Sequence, residues 1–387
     1  MIPYGKQDIS QRDIDSVVEV LTSDFLTQGP KVPAFETAIA DYTGAEYAVA
    51  VNSATSALHI ACLALGLGKG DWLWTTPISF VASSNCGLYC GAEVDFVDID
   101  PLTYNLCPQA LEIKLRQAKV QNRLPKVIVA VHLCGQSCDM QSIKQLADEY
   151  NVRVIEDASH AVGGKYMDRA IGGNQYADIT IFSFHPVKII TSAEGGIATT
   201  NSKDIAERLM LFRSHGVTRD PDLLLNTDEG PWYYEQQVLG YNYRMTDLQA
   251  ALGLSQMQRL DKFVAQRHKL AQRYDLELAG LPIVLPLQSE AAYSGLHLYV
   301  IRLKFDSINY TRKEVFELLR EAGVGVNVHY IPIHTQPYYQ RLGFQIGDFP
   351  QAEQYYAEAI SLPMFHLMTE AQQSHVIQAL RSIFGGA

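Results

Sequence analysis

The chain has 387 residues, 47% of them hydrophobic and 19% charged, with a formal net charge of -11. That is more length than one ordinary domain uses and enough apolar material for a sizeable soluble core, so two or three domains are expected. The acid excess, with no dense Lys/Arg run, argues against nucleic acid and anionic membrane as partners and leaves an anionic small molecule, held by local cations and backbone amides.

The opening residues MIPYGKQDIS lack a basic region followed by an apolar stretch, and no window holds the roughly 18 apolar residues of a membrane span. A cytoplasmic protein is expected. Up to about residue 240 the chain alternates short β-branched runs with helical stretches, the pattern of an open parallel α/β sheet. The candidate strands are EYAVAV from Glu46, WLWTT from Trp72, VDFVDI from Val94, VIVAVH from Val127, VRVIED from Val152, ITIFSF from Ile179 and GIATT from Gly196. Helical segments such as SALHIACLALGLG, SFVASSNCGLYCG and MQSIKQLADEYN separate most of them. Gly66, Gly68 and Gly91 fall where left-handed helix caps are needed.

The first strand opens into NSATSALHIACLAL, placing Ser53, Thr55 and Ser56 at a helix start. Free amides and hydroxyls there can cradle a phosphate, although either Ser53 or Thr55 also serves as an ordinary N-cap. After the second strand comes TTPISFVASS, whose Phe80 is either a core aromatic or a face for a planar ring. The cysteines at 62, 86, 90, 107, 134 and 138 include C-x3-C pairs without a matching histidine pattern, which reads as reduced core residues and no metal site.

VRVIED ends in Asp157, followed by ASHAVGG, and ligands of open α/β sheets bind beyond carboxyl ends of strands. Asp157 alone reads equally well as a helix cap. His160 can support the aspartate, face a ligand ring, or be structural. Lys188 follows 31 residues later, one β-α-β step away, in the small and apolar run FSFHPVKIITSAEGG. A lysine and an aspartate at neighbouring strand ends suit pyridoxal phosphate, whose aldehyde needs an amine and whose pyridine nitrogen needs a carboxylate. Desolvation in an apolar run would bring the lysine below its ordinary pKa of about 10.4 and make it a better nucleophile. Ser183 adds a phosphate donor. The stretch GLGKG at Gly66 follows a helix and precedes a strand, the reverse of a dinucleotide fingerprint.

From Met245, Leu248, Leu252, Met257, Leu260 and Val264 recur at helical spacing over one or two long helices. The remainder reads as strand (LHLYVIRLKF), helix (TRKEVFELLREAG), strand (VGVNVHYIPI) and a final helix from Thr369. The expected division is a large domain over residues 1–244 and a connecting helix with a small α+β domain over residues 245–387.

Taken in order, NSATSALH, TTPISFVA, EDASHAVGG, FSFHPVKIITSAEGG, LFRSHG and LGYNYRMTDLQAALGLSQ resemble the sugar aminotransferases of the DegT/DnrJ/EryC1/StrS family over nearly the whole chain. IPYGKQ, DFLTQGPKVPAFE, GPWYYEQQVLGYNYRMTD and VNVHYIPIH resemble most its members in pseudaminic acid biosynthesis. The resemblance implies a fold-type-I pyridoxal-phosphate transferase of α/β class, with a seven-stranded, mostly parallel sheet. It implies transfer of an amino group from L-glutamate to C4 of a UDP-linked 4-keto-6-deoxy-N-acetyl hexose, with C3 or C4 transamination of another nucleotide sugar as the alternative. Lys188 would be the Schiff-base lysine, Asp157 the pyridinium partner, His160 its neighbour and Phe80 the stacking aromatic. Ala54, Thr55, Ser56 and Ser183 would form the phosphate cup, with Asn242 entering from the second subunit of a homodimer. Tyr4, Asp24, Phe25, Leu26, Thr27, Asn327, Val328, His329 and Tyr330 would line the sugar-nucleotide site. Ile189 and Phe25 depart from the residues common at their positions in that family.

Overall fold

A computed structural model describes residues 1–226 and 229–385. All seven sequence-predicted runs become strands of one sheet: β1 (Tyr47–Val51), β2 (Trp72–Thr75), β3 (Glu93–Phe96), β4 (Val127–Val131), β5 (Arg153–Asp157), β6 (Ile179–Ser183) and β7 (Gly196–Thr200). Their order is β1-β7-β6-β5-β4-β2-β3. Only β7 is reversed, pairing antiparallel with both neighbours, while the other adjacent pairs are parallel. The carboxyl ends of six strands and the start of β7 therefore share one edge, where a ligand crevice is expected.

The central strands are apolar throughout because both faces are covered. Val127, Val129 and Val131 of β4 pack into one cluster, whereas Ile128 and Ala130 pack into another on the opposite face. The first face carries helices α3 (Ala54–Ala64), α4 (Ala82–Tyr89) and α7 (Lys203–Arg213); the second carries α2 (Lys31–Thr43), α5 (Pro108–Val120) and α6 (Met140–Glu149). In α3 every residue from Ser56 to Cys62 is buried, so it is a core helix with no solvent stripe. Burying Leu58 and Ile60 stabilises this packing by about 1.5–3 kcal/mol each. That fixes the N-terminus of α3 at the sheet edge.

The expected long helical stretch is two helices, α8 (Asp247–Met257) and α9 (Leu260–Glu277). Met245, Ala250, Leu260 and Val264 are buried with Phe35 and Phe182, against the large sheet. Farther along α9, Leu270, Tyr274 and Leu278 join a second core with Tyr299, Leu319 and Leu380. That core surrounds an antiparallel sheet of β8 (Ile283–Val284), β9 (Tyr299–Leu303) and β10 (Ala359–Leu362), in that order.

The expectation of a strand in VGVNVHYIPI is corrected: β10 takes the place beside β9, and the segment makes only isolated bridges from Val324 to Ile2 and from Asn327 to Ser361. Pairing on two different sides prevents it from lying flat in either sheet. The same arrangement fixes the N-terminus, because Gly325 N donates to Ile2 O at 2.7 Å and Met364 N to Tyr4 O at 3.1 Å. Gly66 and Gly91 adopt the left-handed caps expected of them, but Gly68 does not. All six cysteines are free, and no described helix is long and apolar enough to cross a membrane.

Candidate active site

At the sheet edge lies a cavity of about 430 Å³, within the usual range for small-molecule sites. Lys188, Asp157, His160, Phe80, Ala54, Thr55, Ser183, Tyr4, His329 and Tyr330 all line it. A larger, more open groove of about 1400 Å³ lies around Arg312–Glu321 and Tyr356 but contains none of these groups. The chemistry belongs to the smaller cavity.

Lys188 sits in the loop joining β6 to β7, its backbone N–H held by His185 O at 2.9 Å. The side chain keeps some surface toward the cavity, yet burial pushes its pKa down to about 8, partly opposed by the charge of Asp157. Asp157 ends β5 and is 4% exposed. Ser83 Oγ donates to its Oδ2 at 2.6 Å, and Ser159 donates to its Oδ1 through Oγ at 2.5 Å and N–H at 3.2 Å. The carboxylate is held by serines, so of the roles open to His160, support of the aspartate is the one the hydrogen bonds do not bear out.

His160 instead lies 3.1 Å from the Tyr330 hydroxyl through Nε2 and 4.4 Å, ring to ring, from His297. Burial, and then the Lys188 charge, push His160 well below the ordinary histidine pKa; His297 is lowered by burial, His160 and Lys188. His329 falls to about 4 for the same two reasons, burial first. All three rings are therefore neutral near pH 7. Gly135 lets the backbones carrying His160 and His297 approach: a Cβ there would lie 2.7 Å from both His160 O and Leu296 N, so only glycine admits this approach.

At the N-terminus of α3, Ser53 caps the helix by accepting from Ser56 N at 3.1 Å. Ser56 donates its hydroxyl to Asn52 Oδ1 at 2.7 Å and does not line the cavity, a correction to its place in the expected cup. The first-turn amides of Ala54 and Thr55 have no partner within the helix. Gly196, opposite Val51 in the sheet, passes so close that a Cβ would lie 2.5 Å from Ala54 N. Helix amides, the Thr55 hydroxyl and Ser183 thus lie together at the cavity, a donor set able to cradle an anion, while Ser53 gives its hydroxyl proton to Ser56 Oγ at 3.0 Å.

Pyridoxal phosphate fits this donor set: an amine of lowered pKa, a buried carboxylate with lone-pair capacity left, an aromatic face at Phe80 and the cradle. Within one chain, Asn242, Asp24, Phe25, Leu26, Thr27, Asn327 and Val328 do not line the cavity. The stretch from Asp24 to Thr27 is tied to the start of α8, since Asp247 N donates to Leu26 O and Thr27 bridges Thr246. Val328 faces the larger groove, and Asn242 is exposed. Ser79, Ser83, Ser159, His185, Glu194 and His297 line the cavity without having been singled out as site residues. Glu194 stood in the SAEGG end of the lysine run, but nothing local marked it.

Comparison with known proteins gives a consistent result. The sequence matches the DegT/DnrJ/EryC1/StrS aminotransferase family over residues 7–381. It is 39% identical to the spore coat polysaccharide biosynthesis protein SpsC of Bacillus subtilis, covering 100% of this chain and 98% of that one. It is 37% identical to a UDP-4-amino-4,6-dideoxy-N-acetyl-beta-L-altrosamine transaminase of Campylobacter jejuni, covering 99% and 97%. The solved structure of Helicobacter pylori PseC, an aminotransferase involved in the biosynthesis of pseudoaminic acid, superposes with a TM-score of 0.90 at 32% identity, covering all of both chains. The pyridoxal-phosphate form of Spr1654 from Streptococcus pneumoniae, a putative sugar aminotransferase in its own description, gives 0.89 at 28%, covering 100% and 99%.

Proposed function

The chain belongs to the DegT/DnrJ/EryC1/StrS aminotransferase family and is a pyridoxal-phosphate-dependent sugar-nucleotide aminotransferase, and from that premise we propose its substrates: L-glutamate as amino donor and, as acceptor, a UDP-linked 4-keto-6-deoxy-N-acetyl hexose. The product would be UDP-4-amino-4,6-dideoxy-N-acetyl-β-L-altrosamine, on the route to pseudaminic acid. The observation that carries this reading is the near full-length similarity to the Campylobacter transaminase. SpsC, also similar end to end, favours a second reading in which the same chemistry serves another nucleotide sugar.

When bound, the cofactor supplies an electron sink for the carbon next to the transferred nitrogen. The chain does the rest. Lys188 would hold the aldehyde, and its amine would serve to move a proton. With its pKa near 8, roughly a tenth of that amine is neutral at pH 7, far more than for an ordinary lysine. Asp157 would hold positive charge at the ring nitrogen, Phe80 would cover a ring face, and the amides at the start of α3 would hold the phosphate. The neutral histidines and Tyr330 offer hydrogen bonds to the substrate without adding charge.

Offered the β-L-arabino and α-D-xylo 4-keto epimers with glutamate, the enzyme is expected to prefer the former by about tenfold to a hundredfold, as one buried polar group left unpaired by the wrong epimer costs roughly 1–3 kcal/mol. Product identification by NMR checks this. Equal turnover, or preference for the α-D-xylo ketone, removes the pseudaminic-acid reading and leaves the aminotransferase intact.

A homodimer with shared sites is part of the same proposal. Lys188 is the one Lys or Arg among the described residues lining the cavity, and it is committed to the cofactor. A doubly charged nucleotide and a dicarboxylic donor need more cationic or donor groups than that. Leu225, Trp232 and Leu239 are 89%, 71% and 77% exposed, apolar surface suited to an interface near Asn242. Mixing inactive Asn242→Ala subunits with Lys188→Ala subunits is expected to restore activity, because one of the two hybrid sites would be intact. A verified heterodimer with no activity would place Asn242 in its own chain's site.

A further inference from the structure

We propose that Ser83, backed by Ser79 and opposed by Ser159, is a positioning residue that fixes the Asp157 carboxylate and leaves one free acceptor site of Oδ2 for the ring nitrogen of the bound cofactor. This rests on the reading of Asp157 as the ring nitrogen's partner.

Asp157 and Ser83 are 4% and 1% exposed, so the carboxylate has lost most of its hydration. A buried carboxylate must be compensated or it takes up a proton. No Lys or Arg comes within ion-pairing distance of Asp157 among the described residues, although the Lys188 charge acts on it from farther off; its side-chain hydrogen-bond partners are Ser83 and Ser159. Ser83 Oγ also lies 2.7 Å from Ser79 Oγ. A carboxylate only accepts, so the Ser83 proton points to Oδ2, and the Ser83 oxygen receives the Ser79 proton. The direction of the chain, Ser79 to Ser83 to Asp157, follows, and each link polarises the next.

An ionised carboxylate has about four acceptor sites. Ser159 takes two on Oδ1 through its hydroxyl and its N–H, and Ser83 takes one on Oδ2. The remaining site is on Oδ2, and Asp157 lines the cavity. The serines thus select the oxygen that meets the ring nitrogen and hold it in place. With Ser83 gone, Oδ2 loses its donor and the carboxylate is free to turn, so its contact with the ring nitrogen loosens and the electron sink weakens. Ser83 stands in the first turn of α4, two residues beyond the Val81 that follows Phe80, so one short segment sets both ring face and ring charge.

The test loads the enzyme with pyridoxal phosphate carrying ¹⁵N in its ring and reads the ring-nitrogen NMR shift. Ser83→Ala is expected to move that signal toward neutral pyridine and to lower kcat roughly tenfold, the usual effect of one hydrogen bond to a charged group, with KM for glutamate little changed. Ser83→Thr should restore both. Ser159→Ala, which removes the hydroxyl donation at Oδ1 and leaves the backbone N–H, should move the signal in the same direction and serves if Ser83→Ala does not fold. An unmoved signal in the folded serine-to-alanine variants, whatever activity does, overturns the proposal. If Asp157→Asn moves the signal while these variants do not, the reading of Asp157 stands and only the serine proposal falls. If Asp157→Asn leaves the signal unmoved, both fall.

Discussion

Lys188→Ala is expected to abolish turnover while the protein still folds and binds pyridoxamine phosphate. The substitution would remove both the amine proposed to hold the aldehyde and the proposed base, and no other Lys among the described residues lines the cavity to replace it. The α3 cradle, Phe80 and Asp157 remain, so affinity for the aminated cofactor should persist. In the unaltered enzyme, borohydride should fix the cofactor to the peptide containing Lys188; label on another lysine would sink the assignment. The lowered pKa adds a pH signature. Only the neutral amine attacks the aldehyde, so the rate of cofactor capture by the apoenzyme should climb as pH rises and level off above about 8. A rate still climbing toward the ordinary lysine value of about 10.4 would mean that burial does not control this amine.

Asp157→Ala is expected to cost on the order of 10² to 10³ in kcat, the range for removing a group aimed at charge developing in a buried site. Without the carboxylate the ring nitrogen loses its proton partner, and Ser83 and Ser159 lose their acceptor. Thermal unfolding provides the control. A loss of kcat in a protein that melts normally and still binds cofactor assigns the effect to chemistry; full activity in such a protein would mean that Asp157 is only a buried capping group. His160→Asn should be milder than either change, because His160 contacts Tyr330 and His297 and leaves the aspartate's serine partners in place.

The sequence by itself determined the large sheet and put Asp157 and Lys188 together at its edge. Runs such as VIVAV and ITIFS are β-branched and continuous, and only a strand covered on both faces uses such a run, so they were legible without neighbours. Asp157 and Lys188 were legible as groups at the ends of neighbouring parallel strands, but the expected helix between those strands is absent: the connection holds a short hairpin of Lys165–Tyr166 with Arg169–Ala170. The family motifs pointed to Phe80, Ser183, Ala54 and Thr55, which line the same cavity.

What only the tertiary structure decided lies across long separations. Ser83 meets Asp157 over 74 residues and Tyr330 meets His160 over 170, and an isolated serine or tyrosine has no local pattern that announces such a partner. VGVNVHYIPI has the alternation of a strand, but single bridges to Ile2 and Ser361 turn it aside, so β10 pairs with β9 and His329 and Tyr330 enter the cavity. Gly196 reads as the first residue of a strand, while its need for glycine comes from the backbone of Ala54, 142 residues earlier in the chain. Propensity and periodicity act over a few residues, whereas hydrogen-bond partners and close approaches depend on how finished elements pack.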